Sequence, residues 1–77
     1  MDAPEETLVV LAKLRKFREA QGLSQFQVAQ RMNRPRSAVW TLEAGRHDPH
    51  LLTFILYLRA LGLRLSCEVI PTSELEK

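Results

Sequence analysis

The sequence predicts an all-α fold of four short helices followed by a single β-strand, and three observations carry that prediction. Apolar residues recur at helical spacing in four segments, glycines and prolines punctuate the gaps between them, and only residues 63–70 alternate with the period of a strand. A chain of 77 residues has room for one small core. One domain is therefore expected over residues 1–77, with a helical body at 5–62, a strand at 63–70 and a flexible tail at 71–77.

The first helix is predicted from Pro4 to Gln21. Val10, Leu11, Leu14 and Phe17 fall along one face, Lys13, Arg15, Lys16 and Arg18 take the other sides, and Gly22 supplies the left-handed residue that ends it. Ser24 opens the second helix as its cap, and Gln27, three positions on, completes a reciprocal Ser-x-x-Gln box. Leu23, Val28, Ala29 and Met32 point inward, and the helix stops near Met32.

The third helix is expected from Pro35 to Leu42, with proline at a first position whose amide has no helical partner, and Gly45 closing the segment. At 100° per residue Ala38, Val39 and Leu42 share one side, while Arg36, Ser37, Trp40 and Thr41 share the other. An outward row of arginine, serine, tryptophan and threonine suits a helix lying in the major groove of DNA. Arginine can read guanine there, and the hydroxyls can read either edge.

Asp48 and Pro49 are expected to open the fourth helix as cap and first residue, with Gly62 ending it after Leu61. Its core stripe reads Leu51, Phe54, Ile55, Leu58 and Leu61, with Leu52 and Leu56 forming a second apolar row and Tyr57 on the opposite flank. That excess of apolar surface predicts a further contact. Beyond Gly62, Leu63, Leu65, Cys67 and Val69 alternate with Arg64, Ser66 and Glu68, so one face of a strand is buried. A lone strand leaves its backbone groups unpaired, and the economical partner is the same strand of a second copy. A homodimer follows, with Leu52 and Leu56 contributing to it. A register centred on Ser66 sets Arg64 opposite Glu68, whereas one centred on Cys67 juxtaposes the thiols.

Charge is distributed unevenly along the chain. Residues 13–46 hold eight basic side chains against Glu19 and Glu43, a net +6 within a chain whose total is +2. Charge of this kind supplies sequence-independent affinity for phosphate, although any solvated helix face can carry it. The composition, 45% hydrophobic and 26% charged, is that of an ordinary globular protein, and no apolar run approaches the roughly 20 residues of a membrane span. The opening MDAPEET lacks the features of a signal peptide, and one cysteine agrees with a reducing cytoplasm.

Candidates for catalysis are few. There is no Gly-rich phosphate loop and no paired carboxylate, and Cys67 has no base beside it in sequence, so no enzyme activity is expected. His47, Asp48 and His50 match no zinc spacing, and neither metal nor cofactor is expected. Met32 and the aromatics Phe17, Phe26 and Phe54 read as core or near-core, with Phe26 partly exposed.

Residues 14–63 resemble the lambda-repressor-like helix-turn-helix domain of the XRE family of bacterial regulators. The match lies in Gly-Leu-Ser-Gln before the second helix, Arg-Ser-Ala-Val within the third and Leu-Glu-x-Gly-Arg at its exit. The strand after the fourth helix resembles that of the HipB-like antitoxins, which join two subunits through it and hold a kinase toxin. The resemblance implies a cytoplasmic, homodimeric repressor on a palindromic double-stranded operator, serving as the autoregulating antitoxin of a HipA-like kinase. A stand-alone XRE-type regulator and a helical adaptor that no longer binds DNA are the alternatives.

By the same resemblance Arg36, Ser37 and Thr41 reach bases, Gln25 and Arg46 touch phosphate, and Arg18 and Glu43 form an ion pair between the first and third helices. Arg34 in the turn is counted with the phosphate contacts. Trp40 is counted with the base contacts, with packing on sugar-phosphate or against Arg36 as the other possibilities. Two departures from the family pattern stand out: Asn33 replaces the usual turn glycine, and Pro35 replaces the usual serine cap.

Overall fold

Four helices form in the computed structural model, which describes residues 4–46, 48–66 and 71. They are α1 (Glu5–Ala20), α2 (Gln25–Met32), α3 (Arg36–Ala44) and α4 (Leu51–Ala60). The α2 helix packs against both α3 and α4, and α1 packs against α3. Between them lies a core of Leu11, Val28, Ala29, Met32, Val39, Leu42, Tyr57, Ala60 and Leu61, with Leu14, Leu23, Phe54, Leu56 and Leu63 packed against it. No helix among the described residues is long and apolar enough to cross a membrane.

Local chemistry sets the ends of α1 and α2. The Ser24 hydroxyl accepts from the Gln27 amide at 3.1 Å, and the Gln27 side chain accepts from the Ser24 amide at 2.8 Å, so the capping box forms. Asn33 takes the left-handed conformation (φ 55°) that ends α2. The Arg34 amide then reaches back to the Ala29 carbonyl at 3.0 Å. Helix α1 closes in the same manner, with Gly22 left-handed and the Leu23 amide donating to the Arg18 carbonyl at 3.2 Å.

Four expectations about the helices need correction. Pro35 is the cap residue of α3, extended at ψ 153°, and the helix runs two residues further than expected, to Ala44, because nothing interrupts it before Gly45. In α4 the cap is His50 and the first helical residue is Leu51, so Asp48 and Pro49 do not open the helix. Pro49 sits instead in the connecting segment, half-buried, where it lines clefts shared with α3 on one side and α1 on the other.

The third correction concerns the buried arc of α4, which is rotated from its expected position. Tyr57 is fully buried rather than on an outer flank, Leu51 is 66% exposed, and Phe54 and Ile55 are half-buried. The presumed second row divides: Leu56 packs on the core and Leu52 is 61% exposed. The fourth correction is in α1, where Val10 and Phe17 are exposed and the inward side chains are Leu11, Leu14 and Arg18. Because α1 packs chiefly on α3, it buries only a narrow stripe. Phe26 is likewise exposed.

The predicted strand is not present over residues 63–66, which have no regular structure, while residues 67–70, with Cys67 and Val69, lie outside the described residues. A strand requires a partner for its ladder, and a single chain offers none here. Leu63 instead belongs to the end of α4: its amide donates to the Leu58 carbonyl at 2.8 Å and its side chain packs on the core. Leu65 is exposed.

Candidate nucleic-acid interface

The geometry of α3 follows from its two faces. Val39 and Leu42 are buried in the core, which turns Arg36, Ser37 and Trp40 into solvent and leaves Thr41 half-buried at the edge of the same face. Arg34 precedes this row and Arg46 follows it, both exposed. Exposed cations thus stand at each end of a polar helix face. Ser37 and Thr41 also line a cleft of about 260 Å³ with Asp48, His50 and Thr53. On the other side Trp40 shares a cleft with Arg15 and Gln25.

The basic charge is less available than the sequence implies. Arg18 is buried (7% exposed), and Arg31 donates to the Ala60 carbonyl at 2.8 Å, satisfying the end of α4. Arg15 pairs with Glu19 at 3.1 Å on the surface, one turn away on the same helix. Arg36 and Arg46 form no ion pair or hydrogen bond through their side chains among the described residues, and the Arg34 side chain touches only its neighbour's carbonyl at 3.2 Å.

Beneath this face lies a buried polar junction centred on Glu43. Arg18 Nε donates to Glu43 Oε2 at 2.7 Å and Arg18 Nη2 to Oε1 at 3.1 Å, a two-pronged pair between α1 and α3. The Tyr57 hydroxyl of α4 donates to Oε2 at 2.7 Å, and Gln25 Nε2 at the start of α2 donates to Oε1 at 3.1 Å. Arg18 Nη1 completes the arrangement with a 2.7 Å bond to the Leu23 carbonyl. One carboxylate of α3 therefore touches side chains of the other three helices.

Burial pushes the Glu43 carboxyl up, but the hydrogen bonds from Arg18, Tyr57 and Gln25 outweigh it and hold the group below the usual carboxylate range. The bond to Glu43 raises Arg18 further despite its burial, so the guanidinium stays charged. Burial, then the bond to Glu43, raises the Tyr57 hydroxyl. Tyr57 is the member to which the sequence reading gave no role, and Gln25 was read only as a phosphate contact. A tyrosine among the leucines of α4 is the available signal, because a buried hydroxyl must find an acceptor.

Gln25, expected to touch phosphate, spends one of its two amide hydrogens on Glu43 and keeps the other. Trp40 is 51% exposed, and the guanidinium over its ring is that of Arg46, 6.0 Å from the centroid, rather than that of Arg36. Of the expected dimer residues, Leu52 and Leu65 are exposed and Leu56 and Leu63 pack on the core, while Cys67 and Val69 lie outside the described residues. No group of three His, Cys, Asp or Glu side chains is placed to hold a metal among the described residues.

A family model described as a helix-turn-helix domain matches residues 11–66, well over half of the chain. No curated protein sequence and no solved structure gives a match.

Proposed function

The chain belongs to the helix-turn-helix domain family, of the XRE and Cro-like type, and from that membership we propose a homodimeric repressor that reads a palindromic operator. The outward row of α3 carries this reading: Arg36, Ser37 and Thr41 face away from a core that holds Val39 and Leu42. In the complex α3 of each subunit lies in a major groove, with half-site centres about 34 Å apart. Arg36 donates to guanine, and Ser37 and Thr41 bond base edges. Arg34 and Arg46 at the ends of the row, with the free amide hydrogen of Gln25, bind phosphates and set the register.

The finer reading is an antitoxin that represses its own operon and holds a HipA-like kinase. It draws support from the sequence resemblance and from Leu51 and Leu52, which leave exposed apolar surface on α4 rather than on the reading helix. Pairing of residues 63–70 between two copies supplies the dimer in this reading.

A fluorescence titration against the DNA upstream of the gene, at two salt concentrations and with a scrambled duplex as competitor, tests the repressor. Tight binding that weakens steeply with salt and survives the competitor is the expected result. Equal affinity for the scrambled duplex removes the claim of sequence reading. Co-expression with the adjacent gene, followed by purification, tests the antitoxin role. Failure of a kinase from that locus to co-purify leaves a stand-alone regulator.

A further inference from the structure

Within the outward row of α3, Trp40 is the side chain least equipped to read a base, since an indole offers one N–H donor and no acceptor. It is nevertheless half-exposed in the middle of that row. Its surroundings assign it a different task. Arg46 leaves the end of α3 through Gly45, whose left-handed backbone (φ +67°) turns the chain, and the guanidinium comes to lie over the indole. Arg46 makes no side-chain hydrogen bond among the described residues, so the ring and the turn are what position it. Glu43 lies in the wall of the adjoining cleft, but its charge is already matched by Arg18, and that cleft also presents Arg15. An anion approaching Trp40 and Arg46 therefore meets no uncompensated carboxylate from this wall.

We propose that Trp40 is a positioning residue that holds Arg46 against a DNA phosphate, and that it does not discriminate bases. This rests on the DNA-binding reading above. A guanidinium within about 6 Å of the centre of an exposed ring is held by about 0.5–1 kcal/mol, equivalent to about two- to fivefold in affinity. Restricting a long side chain beforehand also lessens the entropy lost when it meets the phosphate. The contribution is independent of sequence because its target is the phosphodiester.

The test uses the full chain with labelled upstream and scrambled duplexes, comparing Trp40→Ala, Trp40→Phe, Arg46→Ala and the Trp40→Ala/Arg46→Ala double variant over a range of salt. Arg46→Ala is expected to weaken both duplexes alike and to lower the salt slope by about one. Trp40→Ala should weaken both about two- to fivefold. Trp40→Phe should retain most of the affinity, and adding Trp40→Ala to Arg46→Ala should cost little more. In the unsubstituted chain the single tryptophan should be quenched by either duplex.

Additive losses in the double variant, or a Trp40→Ala protein whose preference among operator point variants changes, overturn the proposal. Circular dichroism confirms that each variant is folded. If the unsubstituted chain shows no salt-sensitive DNA binding, the DNA reading fails, and the role of Trp40 falls with it.

Discussion

Glu43 shows how much one residue can carry in a small domain. Its side chain is 3% exposed and that of Arg18 is 8%, so removing either leaves a buried charge without its partner. Such losses cost about 3–5 kcal/mol, a large share of the roughly 4–12 kcal/mol expected of a 77-residue domain. Arg18→Ala and Glu43→Ala should each destabilise more than the double substitution, as read from urea denaturation. A double variant weaker than either single would show that the pair contributes net stability beyond mutual neutralisation.

The same carboxylate sets the acid limit of stability. Its folded value lies below its unfolded one, so its contribution is present in full above the ordinary glutamate value of about 4.3. That contribution is lost as pH falls through the folded value. Melting temperature should drop on acidification below about pH 4.3, and Glu43→Gln should flatten that limb while lowering stability at neutral pH. At the reading face, Arg36→Ala should cost about 1–3 kcal/mol of operator binding and relax the preference at one base pair. Uniform weakening on all sequences would make Arg36 a phosphate contact instead.

Among the elements, α2 was the most legible and α4 the least. Every determinant of α2 is local: the capping box of Ser24 and Gln27, the spacing of Val28, Ala29 and Met32, and the left-handed Asn33. The phase of α4 depends on partners distant in sequence. Tyr57 turns inward to the carboxylate of Glu43, and the helix end is met by Arg31 from α2 and by Gln21, whose Nε2 donates to the Leu61 carbonyl at 3.3 Å. Apolar periodicity alone therefore placed Leu58 and Leu61 in the core but put Leu51 inside the stripe and left Tyr57 outside it. The end of α3 combines both kinds of control, since Gly45 is left-handed and an added methyl group would stand 2.7 Å from the Leu8 side chain of α1. Gly45→Ala should cost about 1–2 kcal/mol through backbone strain. It should also weaken DNA binding by displacing Arg46. Unchanged thermal stability would argue against the strain.

At the scale of the molecule, the proposed homodimer is tested by truncation. Among the described residues, the core and its packed fringe fall within residues 11–63. Truncation after Ser66 should leave a folded protein that sediments as a monomer and binds the operator weakly, because two linked half-sites become one. A tight dimer after that truncation would place the interface on the helices, with exposed Leu51 and Leu52 the first surface to substitute.

The number of helices, the capping box, the left-handed turn and the outward row of α3 were legible in the chain itself, because each depends on neighbours within about one helical turn. The family resemblance already paired Arg18 with Glu43; the addition of Tyr57 and Gln25 to that pair emerged only from the fold. So did the rotation of α4, the commitment of Arg31 to a helix end and the placement of Arg46 over Trp40. These depend on which surfaces meet across 6 to 40 residues of sequence. Local periodicity specifies that a face is buried, but tertiary packing selects the partner against which each polar group is satisfied.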